Sequence, residues 1–245
     1  MIDSPPPLAR FRPAALLLDF DGTLVELAES PQAIAVPGPL SALLTRLAAR
    51  LDGRLAIVSG RPVADLRAHL PGLAVALCGS HGGELRYADG RAVPASVPAG
   101  LAAAADEVRA FARAWDGLLV EEKPAGVALH YRSAPAMEGR VLAFLEEIGE
   151  RTGLALQRGK AVGELRAADT NKGAAVRRLM SEPPFAGTRP VFVGDDLTDE
   201  DAFAAAVELG GEAILVGPPR PTAARWRLDD VAATAAWLRE AAGHG

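Results

Sequence analysis

Three leucines, Leu16-Leu17-Leu18, run directly into Asp19-Phe20-Asp21-Gly22-Thr23, and this junction restricts the chain more than any other segment. A short continuous apolar run bounded by turn residues is the pattern of a strand buried on both faces. Strands of that kind belong to parallel sheets covered by helices. Side chains two apart on a strand point the same way, so the spacing predicts Asp19 and Asp21 in one small space at the strand's carboxyl end. Two like charges about 4 Å apart repel by roughly 4 kcal/mol at an effective dielectric near 20. Carboxylates crowded in this way hold a cation, split their proton affinities for acid–base work, or attack a substrate.

The rest of the chain repeats the strand–helix rhythm. A strand over 15–19 is followed by an amphipathic helix over 38–51, with Leu40, Leu43, Leu44, Leu47 and Leu51 on one face. A strand over 54–58 ends in Ser59-Gly60-Arg61-Pro62, where Pro62 opens a helix reaching His69. A strand over 74–78 leads into Gly79-Ser80-His81-Gly82-Gly83-Glu84. Near residue 95 the rhythm changes: Pro94 to Gly100 reads as a linker. A helix (100–114), two strands (117–122, 126–132), a second helix (136–151) and two more strands (153–157, 161–166) then follow. Helix-strand-strand repeated twice suits an antiparallel sheet with helices on one face. From Asn171 the parallel pattern resumes, with helix 172–180, strand 190–193, helix 199–207, strand 213–216 and a last helix over 229–242. The expected architecture is an α/β, doubly wound, Rossmann-like parallel-sheet core over 1–95 and 168–245, interrupted by an α+β cap over 96–167.

Composition narrows the class of function. The 245 residues carry a formal net charge of −5 with both signs interspersed, so the basic stripe of a nucleic-acid binder is missing. No apolar run approaches the ~18 residues of a membrane span. Met1 to Pro13 lacks the apolar core of a signal peptide and reads as a loose, extended lead-in. Cys78 is the single cysteine and reads as a buried small hydrophobe. A cytoplasmic monomer acting on a small molecule is the expectation. Only three lysines occur, at 123, 160 and 172, beside abundant arginine. Such lysines suit places where a compact point charge is needed and a planar guanidinium does not serve.

Four motifs fall at strand ends or helix starts, where open α/β sheets bind ligands. Asp19-x-Asp21 is the first. Ser59 offers a hydroxyl and turn amides to an anion. Asn171-Lys172-Gly173 places a lysine at the positive end of a helix, suited to phosphate. Val191-Phe192-Val193-Gly194-Asp195-Asp196-Leu197-Thr198-Asp199-Glu200-Asp201 is a second buried strand ending in carboxylates. Two acidic strand ends on one sheet, with no His or Cys beside them, point to a hard cation and favour Mg²⁺ over zinc.

Asp-Phe-Asp-Gly-Thr-Leu, Ser-Gly-Arg, Asn-Lys-Gly and Gly-Asp-Asp-x-Thr-Asp-Glu-Asp, in this order, resemble the four motifs of the haloacid dehalogenase superfamily of phosphotransferases. The resemblance implies covalent catalysis. Asp19 would attack phosphorus in line to give an aspartyl-phosphate. Asp21 would protonate the leaving oxygen and then activate the hydrolytic water. Ser59 and Lys172 would stabilise the phosphoryl oxygens. Mg²⁺ would be held by Asp19, the backbone carbonyl of Asp21 and Asp195, with Asp196 and Asp199 ligating or orienting.

A finer resemblance spans nearly the whole chain. Gly79-Ser80-His81-Gly82-Gly83-Glu84 is similar to the Gly-x-His-Gly-x-Glu segment of trehalose-6-phosphate phosphatases. Val120-Glu121-Glu122-Lys123, Leu129-His130-Tyr131-Arg132 and Gly159-Lys160-Ala161-Val162-Gly163-Glu164-Leu165-Arg166 look like that family's cap signatures. Carried over, His81, Gly82 and Glu84 face the sugar from the core, and Glu121, Lys123, Arg132, Lys160 and Glu164 grip its hydroxyls from a closing cap. Strand parity puts Glu121 with Lys123, and Lys160 with Glu164, on one face. Where the family usually has proline after Glu-x-Arg, this chain has Ala167, which bears on the stiffness of the return to the core. The implied reaction is Mg²⁺-dependent hydrolysis of trehalose 6-phosphate. The alternatives are a phosphatase of the sucrose-phosphate or mannosyl-phosphoglycerate type and a phosphomutase.

Overall fold

Each apolar run of the core forms a strand in the computed structural model, which describes residues 3–28, 33–93, 97–123, 125–168 and 170–243. The order begins β1 (Ala14–Leu18), α1 (Leu40–Arg50), β2 (Leu55–Val58), α2 (Val63–His69), β3 (Ala76–Gly79), β4 (Glu84–Arg86) and β5 (Ala92–Val93). An insert follows, with α3 (Leu101–Arg113), β6 (Leu119–Lys123), β7 (Gly126–His130), α4 (Glu138–Thr152), β8 (Leu154–Gly159) and β9 (Val162–Ala167). The chain ends with α5 (Lys172–Met180), β10 (Arg189–Gly194), α6 (Glu200–Glu208), β11 (Glu212–Val216), β12 (Trp226–Leu228) and α7 (Val231–Ala242). It divides into two compact units, residues 1–93 with 171–245, and residues 94–170. The expected linker begins at Pro94–Ser96, outside the described residues.

In the core unit one sheet runs β12-β11-β10-β1-β2-β3-β4-β5. The strands from β12 to β3 are parallel, and β4 and β5 are antiparallel additions. Period-two alternation sorts the side chains. Leu16, Leu18, Ile57, Val191 and Val193 pack with α1, Leu66 of α2 and Trp237 and Leu238 of α7. Ala15, Leu17, Ala56, Phe192 and Ala213 pack with Val176 and Leu179 of α5 and Phe203 of α6. Helices therefore cover both faces, the doubly wound arrangement expected. Cys78 lies in the second layer, and burial pushes its thiol up to about 12, so it packs rather than reacts.

Three strands were not anticipated: β4, β5 and β12 are two or three residues long, too short to display a period. The amino-terminal segment is not loose. Leu8 and Phe11 are buried in a single 3₁₀ turn, Asp3 bridges to Trp226, and Trp237 Nε1 donates to Pro6 O at 3.0 Å. Its prolines deliver carbonyls that tie down a chain end.

The insert has a four-stranded antiparallel sheet in the order β6-β7-β9-β8. Val127, Leu129 and Leu165 face Ala104 and Val108 of α3 and Val141, Leu145 and Ile148 of α4. By alternation, Glu121, Lys123, His130, Gln157, Glu164 and Arg166 lie on the face without helices.

Candidate active site

The pairing of β1 with β10, Leu18 opposite Val193, sets the two acidic strand ends side by side, and Asp19 N donates to Val193 O at 2.9 Å. Lys172 closes the cluster from the first turn of α5, where Asn171 Oδ1 caps the helix by accepting from Ala174 N at 2.7 Å. Its Nζ donates to Asp19 Oδ1 and Asp199 Oδ1, both at 2.7 Å. All three residues are buried, with Asp199 fully so. Asp199 Oδ2 accepts the backbone N–H groups of Asp195 and Asp196, both at 3.0 Å. Gly194 makes room for this: a Cβ there would lie 2.4 Å from Asp199 Cγ.

Carboxylate oxygens of Asp19, Asp195 and Asp199 lie within 4.8 Å of one another. Burial raises the pKa of Asp19 well above the usual carboxylate range. Lys172 opposes that rise, and Asp199 and Asp195 add to it. Burial, then Asp199 and Asp196, push Asp195 up to about 7. For Lys172, burial alone would favour the neutral amine, but Asp19, Asp199 and Asp196 outweigh it and hold the pKa above the ordinary lysine value. A buried group of carboxylates served by one ammonium is short of positive charge, and an all-oxygen donor set suits a hard divalent cation. Asp196 stands apart from the cluster: its Oδ1 accepts Thr198 N at 2.7 Å and Thr198 Oγ1 at 2.6 Å, capping the next turn.

Strand β1 ends at Leu18, and the backbone turns through Gly22 at φ +77° to a bridge between Asp21 and Val25. Asp21 takes a different partner from Asp19. Arg61 grips it in a fork, Nε to Oδ2 at 2.7 Å and Nη2 to Oδ1 at 2.9 Å. The arginine of Ser-Gly-Arg thus has a role that the order of residues alone does not assign. Ser59 is buried beside it, and its Oγ accepts Arg61 N at 3.1 Å.

The Gly-Ser-His-Gly-Gly-Glu loop is zipped onto this turn. Ser80 N donates to Arg61 O at 2.8 Å and His81 N to Ser59 O at 2.9 Å. Ser80 and His81 both adopt left-handed backbone, at φ +49° and +55°. The His81 ring lies over Gly60, whose Cβ would meet Nε2 at 2.6 Å. Gly82 sits against the start of α5, with a Cβ position 2.9 Å from Asn171 O. Glu84, in β4, accepts from Ser80 Oγ at 2.5 Å and from Val63 N at 3.4 Å. This carboxylate braces the loop that presents His81.

The family profile described as trehalose-phosphatase matches residues 17–232. The chain belongs to the trehalose-phosphatase family. A probable trehalose-phosphate phosphatase of Sinorhizobium fredii is 43% identical over 209 residues, covering 84% of this chain and 79% of the relative. The trehalose-6-phosphate phosphatase of Escherichia coli K12 is 37% identical over 226 residues, covering 91% and 85%. A crystal structure of a trehalose-6-phosphate phosphatase related protein superposes with a TM-score of 0.75 at 28% identity, covering 91% of this chain and 94% of that one. The core has the haloacid dehalogenase fold.

In the insert, Lys123 and Glu164 form an ion pair across the sheet, with side chains 13% and 10% exposed. Gly126 leaves room for it: a Cβ there would lie 3.0 Å from Glu164 Oε1. Glu121 pairs with His130, Oε2 to Nε2 at 2.8 Å. Arg166 Nη2 donates to Gln157 Oε1 at 2.7 Å. His130, Gln157 and Arg166 share this face as well, and of the three Arg166 carries a signal along the chain, following Glu164 by two and so sharing its parity. Lys160 does not share a strand face with Glu164. Gly159 pairs with Val162, so Lys160 and Ala161 form the hairpin turn, with Ala161 at φ +59°, and Lys160 is exposed. Arg132 likewise lies in a turn, because β7 stops at His130.

Proposed function

We propose that the chain hydrolyses trehalose 6-phosphate to trehalose and inorganic phosphate through an aspartyl-phosphate at Asp19. The observation that carries this reading is the buried Asp19 held by Lys172 through one oxygen only. Among the described residues Oδ2 accepts no hydrogen bond, which leaves it to attack phosphorus as the bond to the sugar oxygen breaks. Asp21 protonates that leaving oxygen once substrate has opened its fork with Arg61. In the second step Asp21 takes a proton from water, the water oxygen attacks phosphorus, and the Asp19–phosphate bond breaks to release inorganic phosphate. In this reading Lys172 and Ser59 donate to the phosphoryl oxygens. Asp199 spends its oxygens on Lys172 and two backbone amides, so Asp19 and Asp195 are the ligands offered to Mg²⁺ and Asp199 orients them. A bound Mg²⁺ supplies positive charge to the phosphoryl oxygens as charge develops there.

On the insert, Glu121, Lys123 and Glu164, with His130 and Arg166 holding the same polar face, suit the hydroxyls of a disaccharide. Lys160 and Arg132, on turns and exposed, are the remaining candidates for contact with the sugar. His81, presented by a strained loop in the core, is a further sugar contact, and Gly82 and Glu84 shape that loop.

The test is phosphate release by the purified chain with Mg²⁺ on trehalose 6-phosphate, sucrose 6-phosphate, mannosyl-phosphoglycerate and glucose 6-phosphate. Trehalose 6-phosphate is expected to lead in kcat/KM by on the order of 10²-fold or more, because a site built for two sugars leaves polar groups unpaired around one. Chelation should silence the enzyme and Mg²⁺ restore it. Comparable turnover of glucose 6-phosphate would sink the substrate assignment, and accumulation of an isomeric sugar phosphate would make the chain a mutase.

Gly22→Ala tests the geometry of the acidic cluster. A Cβ there would fall 2.1 Å from Asp195 Oδ2, on a backbone at φ +77°. Asp195 must move, and kcat is expected to fall on the order of 10²-fold at saturating Mg²⁺. Wild-type kcat would show that Asp195 has no fixed place in the reaction.

A further inference from the structure

The loop that carries Asp195 is clamped from both sides. Its amide side is held by Asp199, which accepts the N–H groups of Asp195 and Asp196. Its carbonyl side is held by Arg220, 24 residues beyond Asp196, whose Nη2 donates to Asp196 O at 2.7 Å and reaches Asp195 O at 3.5 Å. Arg220 is anchored in turn. Its Nη1 pairs with Glu200, the first residue of α6, and Glu200 Oε2 accepts Ala223 N at 2.9 Å. The circuit joins the end of β10, the start of α6 and the segment between β11 and β12. Arg220 meets two carbonyls rather than the carboxylates beside them, so it fixes backbone and does not bind the Asp195 carboxylate.

We propose that Arg220 is a positioning residue that sets the affinity of the Asp19–Asp195 cluster for a divalent cation. This rests on the reading that the cluster holds such a cation. The direction of the effect separates positioning from charge. A guanidinium near the site repels a dication, so its charge alone predicts tighter binding when it is removed. Positioning predicts the opposite, since partners that orient metal ligands typically contribute about 10–100-fold to metal affinity.

The experiment is titration of the full chain with Mn²⁺, followed by the loss of the free-ion electron paramagnetic resonance signal, for wild type, D195N, R220Q, R220K and E200Q. R220Q is expected to weaken Mn²⁺ binding by about 10–100-fold. R220K, with charge but no fork, should recover only part of it. R220K keeps the charge, so any weakening in it comes from lost positioning, and it carries the test if R220Q does not fold; E200Q loosens the anchor but also removes a negative charge, so it serves only to show that the two ends of the circuit act together. Unchanged or tighter binding in both R220Q and R220K overturns the role of Arg220 while leaving the cation site intact. Failure of wild type to bind Mn²⁺, or binding by D195N equal to wild type, overturns the cation reading and this role with it.

Discussion

Asp19→Asn is expected to reduce phosphate release from trehalose 6-phosphate on the order of 10⁴-fold or more without lowering the melting temperature measured in chelator. The two halves of this result have one cause. The amide oxygen is a poor nucleophile, and the substitution also removes a charge from the cation cluster. The same charge is a burden to the fold without a cation. Burial raises the Asp19 pKa above its unfolded value in spite of Lys172. A carboxyl with a raised folded pKa contributes stability below its unfolded pKa, and that contribution is lost as pH rises through the folded pKa. Above its unfolded pKa the buried Asp19 carboxyl therefore opposes folding, and asparagine relieves it while Lys172 keeps Asp199. Thermal melts of both forms in chelator, between about pH 4 and pH 8, should show wild type losing stability relative to the variant as pH rises. A variant several degrees less stable at neutral pH would contradict the charge argument. Residual turnover above roughly a hundredth of wild type would contradict the covalent step.

Lys172→Met should act in the opposite direction on stability. Lys172 is the cation between Asp19 and Asp199, and all three are buried. Removing one partner of a buried ion pair leaves uncompensated charge and costs about 3–5 kcal/mol. At about 2–4 °C per kcal/mol for a chain of this size, the melting temperature in chelator should fall by roughly 10 °C. A saturating divalent cation should restore part of the loss, about 2.7 kcal/mol at a hundredfold excess over its dissociation constant. Turnover should fall about 10²–10³-fold even with Mg²⁺, since the donor to the phosphoryl group is gone. A Lys172→Met protein as stable as wild type in chelator would mean the ammonium does not hold the cluster together.

Much of this site is legible along the chain. The apolar runs before Asp19 and Asp195 place two acidic strand ends, and Asn171 marks the start of α5 because an N-cap side chain must answer an orphan amide. These features depend on neighbours a few residues apart. The fork of Arg61 on Asp21 joins residues 40 apart, the Lys123–Glu164 pair 41 apart, and Lys172 reaches Asp19 across 153. No local period encodes such pairs. Lys160 lies in a hairpin turn, where alternation no longer says which way a side chain points. The short β4, β5 and β12 offered too few residues for any period to register.

By itself, then, the sequence determined the chemistry: carboxylates at the carboxyl ends of two buried strands, a hydroxyl and a lysine to meet an anion, and a polar antiparallel insert. Only the tertiary structure decided the assignments within it. It set β10 beside β1, gave Asp19 to Lys172 and Asp21 to Arg61, turned Asp199 into the brace of the Asp195 loop and set Arg220 against the other side of that loop. Apolar periodicity is a property of residues close in sequence, whereas the energy of an ion pair depends on separation in space, which the order of the strands alone fixes.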